Sequence, residues 1–287
     1  MDNWKNIFNY DFRYIDHTNI KNFFKKPYNA LTSFAIDDAL VLSVSDRISP
    51  PTIRLWLHSK TVVLGIPDTR LPYLKKGVSF LKSTGYDVFV RNSGGLAVPL
   101  DTDVLNMSLI LPNTKITIHD GYEAMYQFVR YIFRDLTDEI KAYEIVGSYC
   151  PGDYDLSING VKFAGISQRR VKNGIAIQIY IDVNGNSADR GRTIQHFYEK
   201  SLKGEQTSFT YPTINPNKMG SLSHLLNKGI TVETIKNKIV TSLQKLSENV
   251  IAETYFKTSE QENFQKRYEQ MVKRNKKVPA LRTNFES

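Results

Sequence analysis

Two Asn-Gly pairs, Asn159-Gly160 and Asn173-Gly174, punctuate an alternating apolar stretch and commit the middle of this 287-residue chain to antiparallel pairing. Asn-Gly is the favoured type I′ hairpin turn because both positions accept positive φ. The first pair joins residues 155–158 to 161–168, and the second joins that strand to 175–183. Strand side chains alternate between faces. Ile175, Ile177, Ile179, Ile181 and Val183 therefore share one face of the last strand, and Ala176, Gln178, Tyr180 and Asp182 share the other.

Other elements surround this meander. Residues 1–30 are polar and aromatic without a clear period. A short helix is expected over 33–42, capped by Thr32 or Ser33, with acids in its first turns. Residues 53–58, 61–65, 87–91 and 104–111 have the composition of strands, and 71–86 that of a helix. The clearest amphipathic helix is 119–136, where Tyr122, Met125, Val129, Ile132, Phe133 and Leu136 recur at helical spacing and read as core. Residues 184–217, rich in Gly, Ser, Thr and Pro, read as loop. A short helix follows at 221–227, then a packed helix carrying Ile235, Ile239, Leu243, Leu246 and Val250. Interleaved strands and helices define an α/β (α+β) class, a mixed β-sheet flanked by helices. One domain is expected over 28–253, with a charged, peripheral helical extension and tail over 254–287.

The formal charge of +9 raises the question of nucleic acid. The basic residues are scattered, however, and much of the excess lies in one run with Lys266, Arg267, Lys273, Arg274, Lys276 and Lys277. No zinc-finger spacing or RNA-recognition signature accompanies them, so no nucleic-acid partner is expected. That run is either a solvated helix face or a surface that steers an acidic protein partner. No segment has the apolar length to span a bilayer, so no membrane association is expected. The start, Met1-Asp2-Asn3-Trp4-Lys5-Asn6, lacks a basic region followed by an apolar core. With a single cysteine, these features point to the cytoplasm.

That cysteine, Cys150, lies in Gly147-Ser148-Tyr149-Cys150-Pro151-Gly152-Asp153-Tyr154-Asp155-Leu156. A sole thiol cannot form an intrachain disulfide and lacks the partners of a zinc site. It is either a small buried hydrophobe or a nucleophile. A nucleophilic cysteine needs a nearby cation that favours the thiolate. Lys162 is the best neighbour in sequence, although a solvated strand lysine is the plainer reading. In a regular hairpin Lys162 lies opposite Ser157. Cys150 would then sit about 17 Å or more away if its strand ran straight. Pro151-Gly152 must fold the loop back for the two to meet. The histidines, His17, His58, His119, His196 and His224, show no metal spacing. Asp153 and Asp155 read as turn chemistry, and no metal site is expected.

A second segment, Arg91-Asn92-Ser93-Gly94-Gly95-Leu96-Ala97-Val98, follows a strand. Its glycines let backbone approach a ligand closely, and Arg91 suits an anion. It is neither a P-loop nor a dinucleotide fingerprint.

Together the two segments resemble those of the lipoate/biotin protein ligase superfamily. Residues 91–98 look like the Arg-Arg-x-Ser-Gly-Gly-Gly-Ala-Val stretch of lipoate–protein ligases. Gly152-Asp153-Tyr154-Asp155-Leu156 with Lys162-Phe163-Ala164-Gly165-Ile166-Ser167-Gln168-Arg169-Arg170 looks like their lysine-bearing segment. The likeness covers roughly residues 33–250. Leu96 replaces the third glycine and Leu100 stands where the ligases have a His. A cysteine just upstream of Pro-Gly-Asp resembles the Gram-positive octanoyltransferase branch. That resemblance implies an acyltransferase of protein lipoylation, with no cofactor. It would move octanoyl, or lipoyl, from a lysine of the glycine cleavage system H protein to a lysine on lipoyl domains of 2-oxoacid dehydrogenase complexes. It also makes Cys150 the thioester nucleophile and Lys162 the group that lowers its pKa. Arg91, Ser93, Gly94, Gly95, Leu96, Ala97 and an Ala164-Gly165 turn would bind the acyl substrate. Three alternatives remain at this point: octanoyl transfer from acyl carrier protein to the H protein, an ATP-dependent lipoate ligase, and a non-catalytic module that binds lipoyl domains.

Overall fold

The computed structural model describes residues 3–113 and 115–285. The strands are β1 (Asp11–His17), β2 (Asn22–Phe23), β3 (Lys26–Pro27), β4 (Thr52–Trp56), β5 (Thr61–Leu64), β6 (Asp87–Val90), β7 (Val98–Leu100), β8 (Val104–Pro112), β9 (Lys141–Ala142), β10 (Asp155–Ile158), β11 (Val161–Val171), β12 (Gly174–Asp182) and β13 (Asn249–Ala252). The helices are α1 (Ala30–Ser45), α2 (Leu74–Ser83), α3 (Ile118–Phe133), α4 (Ser187–Leu202), α5 (Leu222–Leu225), α6 (Val232–Leu246) and α7 (Thr258–Lys276).

The main sheet is mixed and eight-stranded, in the order β13-β1-β4-β8-β12-β11-β10-β9. β1 runs parallel to both β13 and β4, and the remaining pairs are antiparallel. A separate sheet has the order β6-β5-β7. The alternation in β12 sorts the core. Its isoleucines pack with Met125, Phe128, Val129 and Ile132 of α3 and Ile239 of α6, while Ala176 and Tyr180 join the layer of α1, α4 and the three-stranded sheet. No described helix is long and apolar enough to cross a membrane.

The first hairpin turns as its sequence demands, with positive φ at both Asn159 and Gly160. The second turns one residue early, on Lys172-Asn173, with φ +50° at Lys172. Gly174 is instead a strand residue against α1, where a Cβ would lie 2.5 Å from the Val41 carbonyl oxygen. Its glycine serves close packing, not the turn. Ala164 and Gly165 likewise are not a turn. Both lie within β11, paired with Ile181 and Tyr180.

Residues 11–17, which show no clear period in the sequence, form a strand inside the main sheet. Other expectations need correction. α1 starts earlier than expected, because Asn29 Oδ1 caps it by accepting from the N–H groups of Leu31 and Thr32. It is buried on all sides, between the sheet and α7, which explains its weak periodicity. Residues 187–202, expected as loop, form α4, with Ile194, Phe197 and Tyr198 buried. Val250 belongs to β13, beyond the end of α6.

The charged α7 is not peripheral. It packs along α1 and buries Glu260, Phe264, Met271 and Asn275. Glu260 accepts from Arg13 Nη1 at 2.8 Å, and both groups are buried. Another buried network lies between α1 and the sheet. Asp37 accepts from Arg54 Nε at 2.8 Å, Ser108 Oγ at 2.7 Å and Gln178 Nε2 at 2.6 Å. Such a charge is tolerable inside a protein only with this degree of pairing.

Candidate active site

Cys150 is half-buried on the loop before β10, with φ +47°. That conformation is uncommon for a side-chain-bearing residue and costs about 1–3 kcal/mol unless its surroundings hold it. Lys162 supplies part of the hold. It enters from β11 opposite Ser157, next to a register shift between Leu156 and Ser157. Its ammonium donates to the carbonyl oxygens of Tyr149 and Cys150, both at 2.9 Å, and to Ser148 Oγ at 3.3 Å. It also pairs with Asp155 Oδ1 at 2.7 Å. Asp155 in turn accepts from the Ile145 N–H at 3.1 Å and from Ser148 Oγ at 3.3 Å. The loop is thus folded back over the hairpin, as the distance argument requires.

The sulfur faces the other segment. Cys150 Sγ accepts from the Leu96 N–H at 3.1 Å and from Arg91 Nη2 at 3.5 Å. Arg91 Nη2 also donates to the Leu96 carbonyl at 2.8 Å. The close crossing needs Gly95, at φ +97°. A Cβ there would collide with Arg91 Nη2 and stand 2.7 Å from Cys150 Sγ. The cation in hydrogen-bond contact with the sulfur is therefore Arg91, while Lys162 contacts the backbone of the same residue.

Cys150 lines a cavity of about 620 Å³. Phe34, Trp56, Val63, Val98 and Leu100 supply apolar lining, and Asn106 and Gln178 supply polar lining. This volume is in the range of small-molecule sites. Of the residues singled out in the sequence, Arg91, Gly94, Gly95, Leu100, His119, Cys150, Asp153, Asp155 and Gly165 line it. Leu96 contributes its backbone N–H. Ser93 and Ala97 are buried outside the lining, and Ala164 packs in the opposite layer with α3. Lys162 lies behind the Cys150 loop.

Sequence reasoning missed several neighbours. Tyr122 belongs to the stripe assigned to core, yet it lines the cavity and stacks on Tyr154 at 5.0 Å. Tyr180, on the face of β12 that alternation assigns it, also lines the cavity. Burial pushes its hydroxyl well above the usual tyrosine range. Asp68 is buried beside this site. It accepts from the Gly65 N–H at 2.7 Å and from Tyr198 OH at 2.9 Å. Burial raises its carboxyl to about 6, against the pull of those hydrogen bonds and of Arg91. The Gly65 contact is local, but Tyr198 and Arg91 come from elsewhere in the chain, so sequence spacing alone does not place Asp68 at the site.

An α/β fold with a cavity between a Gly-Gly loop and a lysine-bearing hairpin defines a lipoyl-ligase-type catalytic domain. The chain belongs to the lipoyl protein ligase A/B catalytic domain family, whose model matches residues 29–244. It is 58% identical to an octanoyl-[GcvH]:protein N-octanoyltransferase of Oceanobacillus iheyensis, over 96% of this chain and 99% of that one. It is 46% identical to a lipoyl-[GcvH]:protein N-lipoyltransferase of Listeria monocytogenes, over 93% of this chain and 95% of that one. Among solved structures, a lipoate-protein ligase A bound with ATP superposes with a TM-score of 0.66 at 15% identity, over 91% of this chain and 95% of that one. That likeness shows the fold.

Proposed function

We propose that this chain is an N-octanoyltransferase of protein lipoylation. It takes octanoyl from a lysine of the glycine cleavage H protein, GcvH, and passes it to a lysine on lipoyl domains of 2-oxoacid dehydrogenase complexes. The donor follows the names of its full-length relatives. The observation that carries the chemistry is Cys150 in the cavity lining, with its Sγ facing a guanidinium and a backbone N–H.

The thiolate attacks the amide carbonyl of octanoyl-lysine. A C–S bond forms and the C–N bond breaks. The departing lysine nitrogen takes up one proton and leaves as an amine. In the second half the acceptor lysine, as a neutral amine, attacks the thioester. A C–N bond forms, the C–S bond breaks, the thiolate returns and the new amide nitrogen releases one proton. One lysine amide replaces another, so the reaction needs neither ATP nor a redox partner. Splitting amide cleavage into two acyl transfers is what covalent catalysis contributes. The apolar part of the cavity takes the alkyl chain, each buried methylene contributing about 0.8 kcal/mol. Lys162 fixes the Cys150 backbone and adds its positive charge to the same loop. We place the reaction in the cytoplasm, where a lone thiol stays reduced.

Lipoyl is a second cargo, favoured by the Listeria relative's name. Mass spectrometry of the chain after incubation with octanoylated GcvH tests the proposal. One octanoyl gained by the wild type and lost in Cys150→Ser supports it. No adduct from octanoylated or lipoylated GcvH, with an adduct from octanoyl carrier protein, moves the donor to that carrier.

A further inference from the structure

The last turn of α7 closes on the strand that leads into the active site. Asn275 is fully buried, and its amide grips the backbone of one residue from both ends. Oδ1 accepts from the Val90 N–H at 2.7 Å, and Nδ2 donates to the Val90 carbonyl at 3.0 Å. Nδ2 also donates to the Met271 carbonyl at 3.0 Å, which fixes the amide's orientation. Val90 ends β6, an edge strand of the three-stranded sheet. Its other side is already paired with Leu64 of β5, and the Arg91 N–H donates to the Leu64 carbonyl at 3.0 Å. Asn275 thus stands where the next strand of the sheet would be, and satisfies backbone groups that would otherwise be buried unpaired.

The residue after Val90 is Arg91. Its side chain is buried, and its Nε has no hydrogen-bond partner. One nitrogen, Nη2, carries its contacts to Leu96 O and Cys150 Sγ. A guanidinium held by so few side-chain contacts depends on its backbone for aim. A shift of β6 by a fraction of an ångström would move the charge off the sulfur.

We propose that Asn275 is a positioning residue for acyl transfer. By clamping Val90 on the open edge of β6 it sets Arg91 against Cys150 Sγ, which makes the C-terminal helix part of the catalytic apparatus. This rests on the thioester reading above. Other ionisable groups near the sulfur are Lys162 and Asp155 behind the loop, Asp153 on it, His119 and Tyr122 from α3, Tyr180 from β12 and Tyr198 from α4. Burial raises all three tyrosines, so they stay neutral around neutrality. Asp68 is a further buried carboxyl close enough to feel the charge of Arg91.

Alkylation by iodoacetamide, in which the Cys150 thiolate displaces iodide, tests the proposal on the full chain. It is followed by mass spectrometry from pH 5 to 10, beside a thermal melt. Cys150 is the sole cysteine, so the adduct is counted on the peptide that carries it, apart from slower alkylation of lysine, histidine or methionine. In Asn275→Ala the rate at neutral pH should fall about tenfold and the profile should move to higher pH. Arg91→Met should do at least as much, and the double variant should match Arg91→Met alone. Asn275→Ser, which cannot bridge both Val90 groups, should shift the same way and replaces the alanine variant if that one does not fold. A wild-type profile in a folded Asn275 variant overturns the proposal, as does a double variant whose effects add. Alkylation needs no acyl donor. A failure here is therefore distinct from a failure to load octanoyl, which would sink the transferase reading instead.

Discussion

The Lys162 ammonium meets Cys150 at its carbonyl oxygen, 2.9 Å away, while the sulfur points to Leu96 and Arg91. The resemblance to known transferases pairs this lysine with the thiol. In the structure two cations contact Cys150, at different atoms. Lys162 holds a strained loop in place, and Arg91 presents a charge to the sulfur. The two cations touch opposite ends of the same residue.

Removing Lys162 should therefore affect folding as well as chemistry. The side chain is 1% exposed and is the ion-pair partner of the buried Asp155. Leaving one member of a buried pair uncompensated costs about 3–5 kcal/mol. Lys162→Met is expected to lose stability of that order in urea unfolding and to acylate slowly. Lys162→Met combined with Asp155→Asn should regain much of the stability and none of the acylation rate. Recovery of both together would mean that the lysine acts on stability alone.

Gly94 and Gly95 make a matched pair. A Cβ on Gly94 meets nothing within 4 Å, whereas one on Gly95 would stand 2.7 Å from Cys150 Sγ at φ +97°. Gly94→Ala should keep its melting temperature and lose little acylation. Gly95→Ala should displace the sulfur or Arg91, and a displacement near 1 Å is worth about 100-fold in rate. Octanoyl loading, measured for both variants, checks the contrast. Equal rates would remove the close crossing from the mechanism.

The meander was legible because it obeys local rules, whereas the two site segments stood out through their resemblance to a known family. Asn159-Gly160 sets its turn by backbone preference, and the isoleucines of β12 show their face by alternation. The elements that escaped have their causes far away in sequence. α1 is covered on every side, so no polar face marks it. α4 is polar overall, although Ile194, Phe197 and Tyr198 carry the helical spacing of a buried stripe. From sequence Arg91 reads as a substrate contact, and nothing local marks it as a neighbour of the thiol. Arg91 and Cys150 are separated by 59 residues, and only the tertiary fold joins them. Asn275 lies 185 residues from Val90, in a helix whose charged composition suggested solvent.

The cavity should discriminate by chain length. Val98 is 3% exposed and lines it from β7. Val98→Phe adds bulk where an alkyl chain would lie. If it excludes about four methylenes, octanoyl loses about 3 kcal/mol of burial. Octanoyl loading should then fall about 100-fold, while a butyryl donor should load as in the wild type. A parallel loss for both donors would place the alkyl chain elsewhere.

Acid should expose the cost of a buried imidazole. His58 packs against Tyr28 and Trp56, its Nε2 has no partner, and burial pushes it down to about 3. Folded His58 stays neutral at mild acidity, but the unfolded chain takes up a proton below about 6.5. The unfolded state then binds more protons, so this group's contribution to stability falls as the pH drops from about 6.5 towards 3. Asp68, raised to about 6, acts in the opposite direction between its unfolded value and 6, so wild-type stability alone does not isolate the histidine. His58→Phe keeps a ring in the same packing and cannot titrate. Between pH 7 and pH 5 the wild type should lose about 2 kcal/mol relative to that variant, at roughly 1.4 kcal/mol per pH unit below the unfolded value. Urea unfolding of both proteins across this range measures the difference directly. A constant gap would mean that His58 is protonated in the folded protein, and its packing between Tyr28 and Trp56 would have to be redrawn.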